Sequence, residues 1–239
     1  MKISTSTPWW RWLLTLVIGV LLWEVGKVLG NLAAVIVAGD EAAIYGSFWP
    51  LITLSIVQAA VTVFGIKYVW RIVNGDWTSI GFVSKHWKQD VLYGAAVGLA
   101  LALLQFFVIL PLTGGAQRTD VIASAEIMGS NPFSLIAAII LGWFAGAFSE
   151  EIFYRGHFIR SLSTLFGGGP WAVGISSLLS IALFAYGHSY QGWIGILNTG
   201  FVALIFTLLF LWRKRLTAGI VAHGIYNTLA FLSIYFFLT

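Results

Sequence analysis

The sequence predicts an all-α protein: a polytopic bundle of about seven transmembrane helices with its N-terminus inside the cell. Three observations predict this: an extreme apolar composition, seven long apolar stretches, and charges that alternate between the connections. Of the 239 residues, 59% are apolar and only 9% are charged, against about 25% charged in an average soluble domain. The mean hydropathy is +0.90. This composition excludes a soluble enzyme, a nucleic-acid-binding protein and a disordered chain.

Seven apolar stretches are each long enough for a hydrocarbon core of about 30 Å, which takes ~20 helical residues. They cover residues 12–37, 48–70, 91–112, 133–153 and beyond, 171–188, 193–212 and 218–238. The first stretch follows Lys2 and Arg11, as a secretory signal would. Its apolar run is too long for a signal, however, and no small-residue cleavage site follows it promptly. We therefore expect a retained helix.

The charges in the connections predict the orientation. The first connection carries Asp40 and Glu41, whereas the sixth carries Arg213, Lys214 and Arg215. Most of the thirteen Lys and Arg residues fall on the side of the N-terminus, and such an excess marks the cytoplasmic side of a membrane protein. The pattern predicts a cytoplasmic N-terminus, an external C-terminus and a multi-pass protein of the cell membrane, in keeping with a prokaryotic plasma membrane.

The chain is expected to be one integral membrane domain, residues 1–239, because no repeat, low-complexity tract or linker divides it. Residues 114–131 are expected to form an external loop, with Asn131 as the N-cap of the next helix and Pro132 at its first position. The absence of cysteine excludes disulfides, thiolate metal sites and cysteine nucleophiles. Close helix contact is indicated by three Gly-x-x-x-Gly pairs: Gly26/Gly30, Gly94/Gly98 and Gly142/Gly146.

Ionisable residues inside apolar helices are costly, so they are the first candidates for chemistry. In the fourth stretch Glu150 and Glu151 are adjacent and project about 100° apart on a helix. Glu151 and Arg155 have the i, i+4 spacing of an ion pair, with the acid in the favourable N-terminal position. Glu150 then faces elsewhere, with Tyr154 on its side. The alternative is a cluster of charges at the water interface.

Two further candidates lie in the later stretches. His188 ends a very apolar helix four residues after Phe184, and His223 and Asn227 form an i, i+4 pair in the last stretch. The alternatives are an interfacial histidine and a pair that hydrogen-bonds between helices. In the first stretch Glu24 and Lys27 are spaced to neutralise one another, and we expect no further role for them.

A depth argument brings these candidates together. Glu150 lies 17 residues before the turn at residues 167–170, and His188 lies 18 residues after it. Both are therefore about 25–27 Å from the turn at 1.5 Å per residue. His223 and Asn227 come about 12 and 18 Å above the cations of the sixth connection. The four side chains are expected to converge in one layer that is reached from the cytoplasmic side.

The ordered motifs resemble those of the CPBP family, which includes the type II CAAX prenyl endopeptidases and bacterial Abi proteins linked to bacteriocin self-immunity. The resemblance covers about residues 132–235, the expected catalytic core. It rests on three motifs in order: Glu150-Glu151-x-x-x-Arg155, Phe184-x-x-x-His188 and His223-x-x-x-Asn227. Tyr154-Arg155-Gly156 is similar to the aromatic-Arg-Gly continuation of the first motif. His157 stands where an aliphatic residue is expected, which makes it a candidate polar residue of the site wall.

The resemblance implies an intramembrane endopeptidase that acts on a membrane-associated peptide or protein. Glu150 and His188 would activate a water molecule, because a carboxylate and an imidazole can exchange its proton. The resemblance assigns the oxyanion hole to His223 and Asn227. Supporting positions are then expected for Glu151, Arg155, Tyr154 and Phe184.

Other readings stay open at this stage. No cofactor is expected, but Glu150, His188 and His223 are also the ligands of an alternative zinc-dependent protease. The sequence lacks the His-Glu-x-x-His motif of many zinc proteases. A proton-coupled transporter would also bury acids and histidines, yet no inverted repeat is found. A bacteriocin-immunity protein without catalysis is the third alternative.

Overall fold

The computed structural model describes residues 7–237, and every regular element within them is helical. The α-helices are Trp9–Ala38, Phe48–Val69, Trp77–Ile80, Trp87–Leu104, Leu110–Leu112, Thr119–Met128, Pro132–Leu141, Arg160–Leu165, Pro170–Gly187, Gly192–Arg213 and Leu216–Phe237. Three π-helical segments are Gln105–Ile109, Gly142–Phe148 and Glu151–Ile159. Short 3₁₀ turns cover Glu41–Ala43, Trp70–Val73, Gly115–Gln117 and Ser189–Gln191.

Seven of these helical stretches are long and apolar enough to cross a membrane, and we call them the first to seventh spans. They are Trp9–Ala38, Phe48–Val73, Trp87–Leu112, Pro132–Leu165, Pro170–Gly187, Ser189–Arg213 and Leu216–Phe237. The prediction of an all-α bundle with seven spans is therefore confirmed, and the protein is a multi-pass membrane protein. The last residue of the predicted seventh stretch, 238, lies outside the described residues. The orientation across the membrane stays a prediction.

The fourth span lies at the centre of the bundle. It packs against the first, second, fifth and seventh spans, and all nine residues of its segment Glu151–Ile159 are buried. Burial on every side is possible for this segment because its charged groups have partners in the neighbouring helices.

The fourth span departs from the regular α-helix that its apolar run predicts. Most of residues 142–159 are π-helical, a rare geometry in which carbonyl groups bond five residues ahead instead of four. Hydrogen bonds to main-chain carbonyls accompany it: Ser149 Oγ donates to the carbonyl of Phe144 at 2.6 Å, and Asn227 Nδ2 donates to that of Gly142 at 3.0 Å. Segments of this kind occur frequently at functional sites.

The glycine pairs mark close helix contacts, as predicted. A Cβ atom placed on Gly94 or Gly98 in the third span would lie 2.5 Å from a main-chain carbonyl oxygen of the seventh span. Gly26 and Gly30 approach the second span in the same way. The third and seventh spans therefore pack backbone to backbone.

The connection before the fourth span contains an unpredicted element. Asn131 is the N-cap of the next helix as expected, since its Oδ1 accepts from the main-chain N–H of Phe133 at 2.9 Å. The residues before it, however, form the helix Thr119–Met128, which packs on the sixth, fourth and seventh spans. A loop was expected there because ten residues of mixed polarity lack the length of a span. Tertiary packing of its apolar side supplies the missing stability.

Candidate active site

A cavity of about 440 Å³ lies between the spans and the helix Thr119–Met128. Helices of both halves of the chain contribute to its wall. The four residues expected to carry the chemistry all line it: Glu150, His188, His223 and Asn227. They come from the fourth, fifth and seventh spans or their ends, so the depth argument and the structure place them in the same region. Their catalytic roles stay predictions.

The two adjacent acids of the fourth span occupy different environments. The Glu150 side chain retains 14% exposure and faces the cavity, whereas the Glu151 side chain is completely buried. His223 lies between them: its Nε2 is 3.7 Å from Glu150 Oε2, and its Nδ1 is 3.2 Å from Glu151 Oε1. Because a carboxylate only accepts hydrogen bonds, the Nδ1–H group of His223 donates to Glu151. Its Nε2 atom is thereby directed to the Glu150 side.

The predicted ion pair of Glu151 and Arg155 forms, at 2.8 Å between Oε1 and Nη1. Arg155 is 1% exposed and also donates through Nη2 to the carbonyl of Ala203, at 3.0 Å. Its guanidinium carbon lies 4.9 Å from the ring centroid of Phe184. Arg155 thus connects the fourth, fifth and sixth spans and holds the carboxylate that orients His223.

His188 follows directly after the fifth span, where the helix ends. Its Nδ1 lies 2.8 Å from the carbonyl oxygen of Phe184. Since a carbonyl oxygen can only accept, Nδ1 carries the proton in the neutral ring and Nε2 is left as the acceptor. The rings of Phe184 and His188 stack with centroids 4.8 Å apart. The Phe184-x-x-x-His188 spacing therefore sets both the tautomer and the plane of the imidazole.

Asn227 lies one helical turn after His223 in the seventh span and lines the same cavity. Its Nδ2 group donates to the carbonyl of Gly142, so one of its two amide hydrogens is engaged. This bond links the seventh span to the π-helical part of the fourth span. The second hydrogen of the amide is free to bind another acceptor.

Tyr154 and His157, which the sequence singled out, do not line the cavity. Tyr154 packs between Trp23 and Phe184, with ring centroids at 5.7 and 4.9 Å. The expectation that His157 belongs to the site wall is wrong. Its Nδ1 accepts from Trp70 Nε1 at 3.0 Å, and its ring occupies the space over Gly19 in the first span. The helical rotation between residues 150 and 157 directs His157 to the first two spans.

Comparison with known protein families identifies this part of the chain. The family model described as "Rce1-like: Type II CAAX prenyl endopeptidase Rce1-like" matches residues 132–229. We call this matched stretch the Rce1-like domain. The match confirms the CPBP resemblance, and it covers the residues of all three motifs. The comparisons with curated proteins and with solved structures gave no match.

Residues outside the Rce1-like domain complete the cavity, and the sequence did not single them out for it. Four of them are polar side chains of the first three spans: Lys27, Asn31, Gln58 and Gln105. The predicted Glu24–Lys27 pair is present, at 2.8 Å, but Lys27 also lines the cavity. The general cost of polar groups inside apolar helices is a signal that all four residues carry, and it extends to amides such as Asn31, Gln58 and Gln105 as well as to ionisable groups.

A zinc centre held by Glu150, His188 and His223 is the alternative that the sequence leaves open. Among residues 7–237, no three His, Asp or Glu side chains are grouped closely enough to hold a metal ion. In particular, His188 and His223 of the Rce1-like domain do not converge with Glu150 into such a group. The zinc-dependent alternative stays a prediction, and the reaction proposed below runs through no metal.

Proposed function

We propose that the protein is an intramembrane endopeptidase of the CAAX-protease type, in which Glu150 and His188 activate the attacking water. The observation that carries the proposal is the common cavity: an acid, two imidazoles and an amide of an Rce1-like domain line one space between membrane-crossing helices. The substrate is a membrane-associated peptide or protein, because the cavity lies within the bundle. The charge distribution supports access from the cytoplasmic leaflet of a prokaryotic plasma membrane.

In the proposed reaction a water molecule bound between Glu150 and His188 loses a proton to Glu150 as its oxygen attacks the carbonyl carbon of the peptide. A tetrahedral intermediate with a negative oxygen results. The proton then passes from Glu150 to the leaving nitrogen, and the C–N bond breaks to give a carboxylic acid and an amine, between which the remaining proton is exchanged. General acid–base catalysis of this kind contributes about 10²–10⁴-fold in rate. The acceptor Nε2 of His188 orients the water.

The negative oxygen is stabilised from the seventh span. His223 can donate through Nε2–H when its ring is protonated, and Asn227 can donate through its free amide hydrogen. Glu151 orients the ring of His223, because it accepts the Nδ1–H bond at 3.2 Å. Arg155 holds the Glu151 side chain in place through their ion pair at 2.8 Å. One donor of an oxyanion hole is typically worth about 10²–10³ in rate.

The test is cleavage of a quenched fluorescent peptide by purified protein in liposomes. A prenylated peptide with a C-terminal CAAX sequence is the first probe, since the matching family model is described by that substrate. Glu150→Gln keeps the side-chain volume but removes the base, so cleavage is expected to fall by about 10²–10⁴-fold. Glu126→Gln makes the same chemical change on the exposed side of the helix Thr119–Met128 and should leave cleavage unchanged.

The outcomes separate the mechanisms. Full cleavage by a correctly folded Glu150→Gln protein would disprove the glutamate mechanism. Cleavage that a chelator abolishes and zinc restores would replace it with the zinc-dependent alternative. Failure of the wild-type protein to cut any membrane-anchored peptide would contradict the endopeptidase proposal itself.

A further inference from the structure

The cavity contains a positive charge that the proposed mechanism does not use. Lys27 is the only Lys or Arg residue among the side chains described as its lining. It lies 18 residues after the start of the first span and 11 residues before its end, or about 27 and 17 Å along the helix. An ammonium group at this depth is costly, so a functional role is the first hypothesis for it.

The present partner of Lys27 is a weakly held carboxylate. Lys27 Nζ lies 2.8 Å from Glu24 Oε2, and the two side chains are 39% and 57% exposed. The Glu151–Arg155 pair, by contrast, is 0% and 1% exposed and has further partners. Glu24 is therefore an exchangeable partner, and it shows that the ammonium group can bind a carboxylate in this position.

We propose that Lys27 is a specificity-determining residue that binds a carboxylate of the substrate peptide, in exchange for Glu24. The inference rests on the proposed function and deepens it. Lys27 and Glu150 line the same cavity, so a carboxylate held by Lys27 sets how far along the peptide the bond at Glu150 lies. The N-terminal half of the chain would thereby select the cleavage position for the Rce1-like domain.

The chemistry of the wall favours a carboxylate over a phosphate. Lys27 brings one positive charge, which matches the single negative charge of a carboxylate, whereas a phosphate monoester carries about −1.5 to −2. Amide side chains stand beside it: Asn31 lies one turn further along the first span, and Gln58 lies on the adjacent second span. Such amides can donate to the second oxygen of a carboxylate.

The experiment measures binding, so that it does not depend on cleavage. The protein is the Glu150→Gln variant in liposomes, and the probe is a fluorescent peptide with a farnesylated cysteine followed by three residues. Three forms are compared: the free C-terminal acid, the C-terminal amide, and an amide that carries Glu in its last position. The first and third forms distinguish a main-chain carboxylate from a side-chain carboxylate.

The acid is expected to bind roughly 10–100-fold more tightly than the plain amide, since a hydrogen bond to a charged group is worth about 1.5–3 kcal/mol. Adding Lys27→Met should abolish that difference, and Lys27→Arg should restore part of it. Lys88→Met, the same substitution at an exposed position away from the cavity, should leave it intact. The Glu-bearing amide will bind like the acid if a side-chain carboxylate suffices.

The Glu24→Gln variant distinguishes a Lys27 that binds substrate from a Lys27 that only forms a structural ion pair with Glu24. Removing the competing carboxylate should tighten binding of the acid several-fold, whereas Lys27→Met weakens it. Equal weakening by both substitutions, equal binding of acid and amide, or binding of neither would overturn the proposal. A binding difference that depends instead on anionic lipid in the liposomes would assign Lys27 to a lipid phosphate. Loss of cleavage in Glu150→Gln tests the proposed function separately.

Discussion

Two buried carboxylates, Asp90 and Glu151, differ in how completely they are paired. Both oxygens of Asp90 are engaged: Arg213 Nε lies 2.7 Å from Oδ1, and Arg215 Nε lies 2.6 Å from Oδ2. Arg215 Nη2 adds a third bond, at 3.0 Å to Oδ1. In Glu151, Arg155 and His223 both use Oε1, and Oε2 has no hydrogen-bond partner among the described residues.

The position of each carboxylate explains the difference. Asp90 ties the start of the third span to the connection between the sixth and seventh spans and does not line the cavity. A saturated cluster of this kind holds helices together. Glu151 lies beside cavity residues and orients His223. Its hydrogen bonds therefore position a proposed catalytic side chain. An incompletely satisfied polar network is costly, and its persistence at Glu151 is the sign of a functional constraint.

The largest effect is expected from Glu151→Gln. The substitution leaves Arg155 as an uncompensated buried cation, and breaking a buried pair costs about 3–5 kcal/mol. It also replaces the carboxylate that accepts from His223 by a neutral amide, a weaker acceptor, so cleavage per folded molecule should fall as well. Thermal unfolding in detergent and peptide cleavage measure the two losses. Unchanged thermal stability would show that the Glu151–Arg155 pair does not hold the bundle together.

Asp90→Asn should lower the stability of the protein without changing its cleavage rate. Arg213 and Arg215 lose their shared counterion, and we expect a loss of about 3 kcal/mol in unfolding free energy. Molecules that remain folded should cleave peptide at the wild-type rate, because Asp90 is outside the cavity wall. The readouts are the unfolding midpoint and the rate per folded molecule. A rate that falls as in Glu151→Gln would contradict the distinction between the two clusters.

Gly219→Ala should disturb Glu151 from the opposite side. A Cβ atom at this position would lie 2.8 Å from Glu151 Oε2, which is too close for van der Waals contact. The carboxylate must shift, and overpacking of this kind costs about 1–3 kcal/mol. Cleavage is expected to fall more than stability, since the shift moves the acceptor of His223. Gly174→Ala, where a Cβ would meet no neighbour within 4 Å, is the matched control.

The smallest effect is expected from His157→Phe. Trp70 loses the acceptor of its indole N–H, and an unsatisfied buried donor costs about 1–3 kcal/mol, partly offset by the apolar ring that replaces the imidazole. Cleavage should not change, because His157 lies away from the cavity. A marked loss of cleavage with normal stability would reinstate His157 as a residue of the site.

The sequence predicted those contacts that form between residues close together along the chain. The Glu151–Arg155 pair follows from a one-turn spacing, and the N-cap at Asn131 follows from local hydrogen bonding. The position of His157 could not be predicted in the same way. It depends on which face of the fourth span meets Trp70 and Gly19, and the π-helical turns shift that face relative to a regular helix.

The sequence by itself determined the number of spans and the three motifs, because hydropathy and helical spacing are local properties of the chain. Only the tertiary structure decided which side chains share a space. In the folded protein His223 lies between two acids of the fourth span. Lys27, Gln58 and Gln105 lie in the cavity wall. These contacts join residues far apart in sequence, and they arise from helix packing, in which close approach at glycines sets the rotation of each span about its axis.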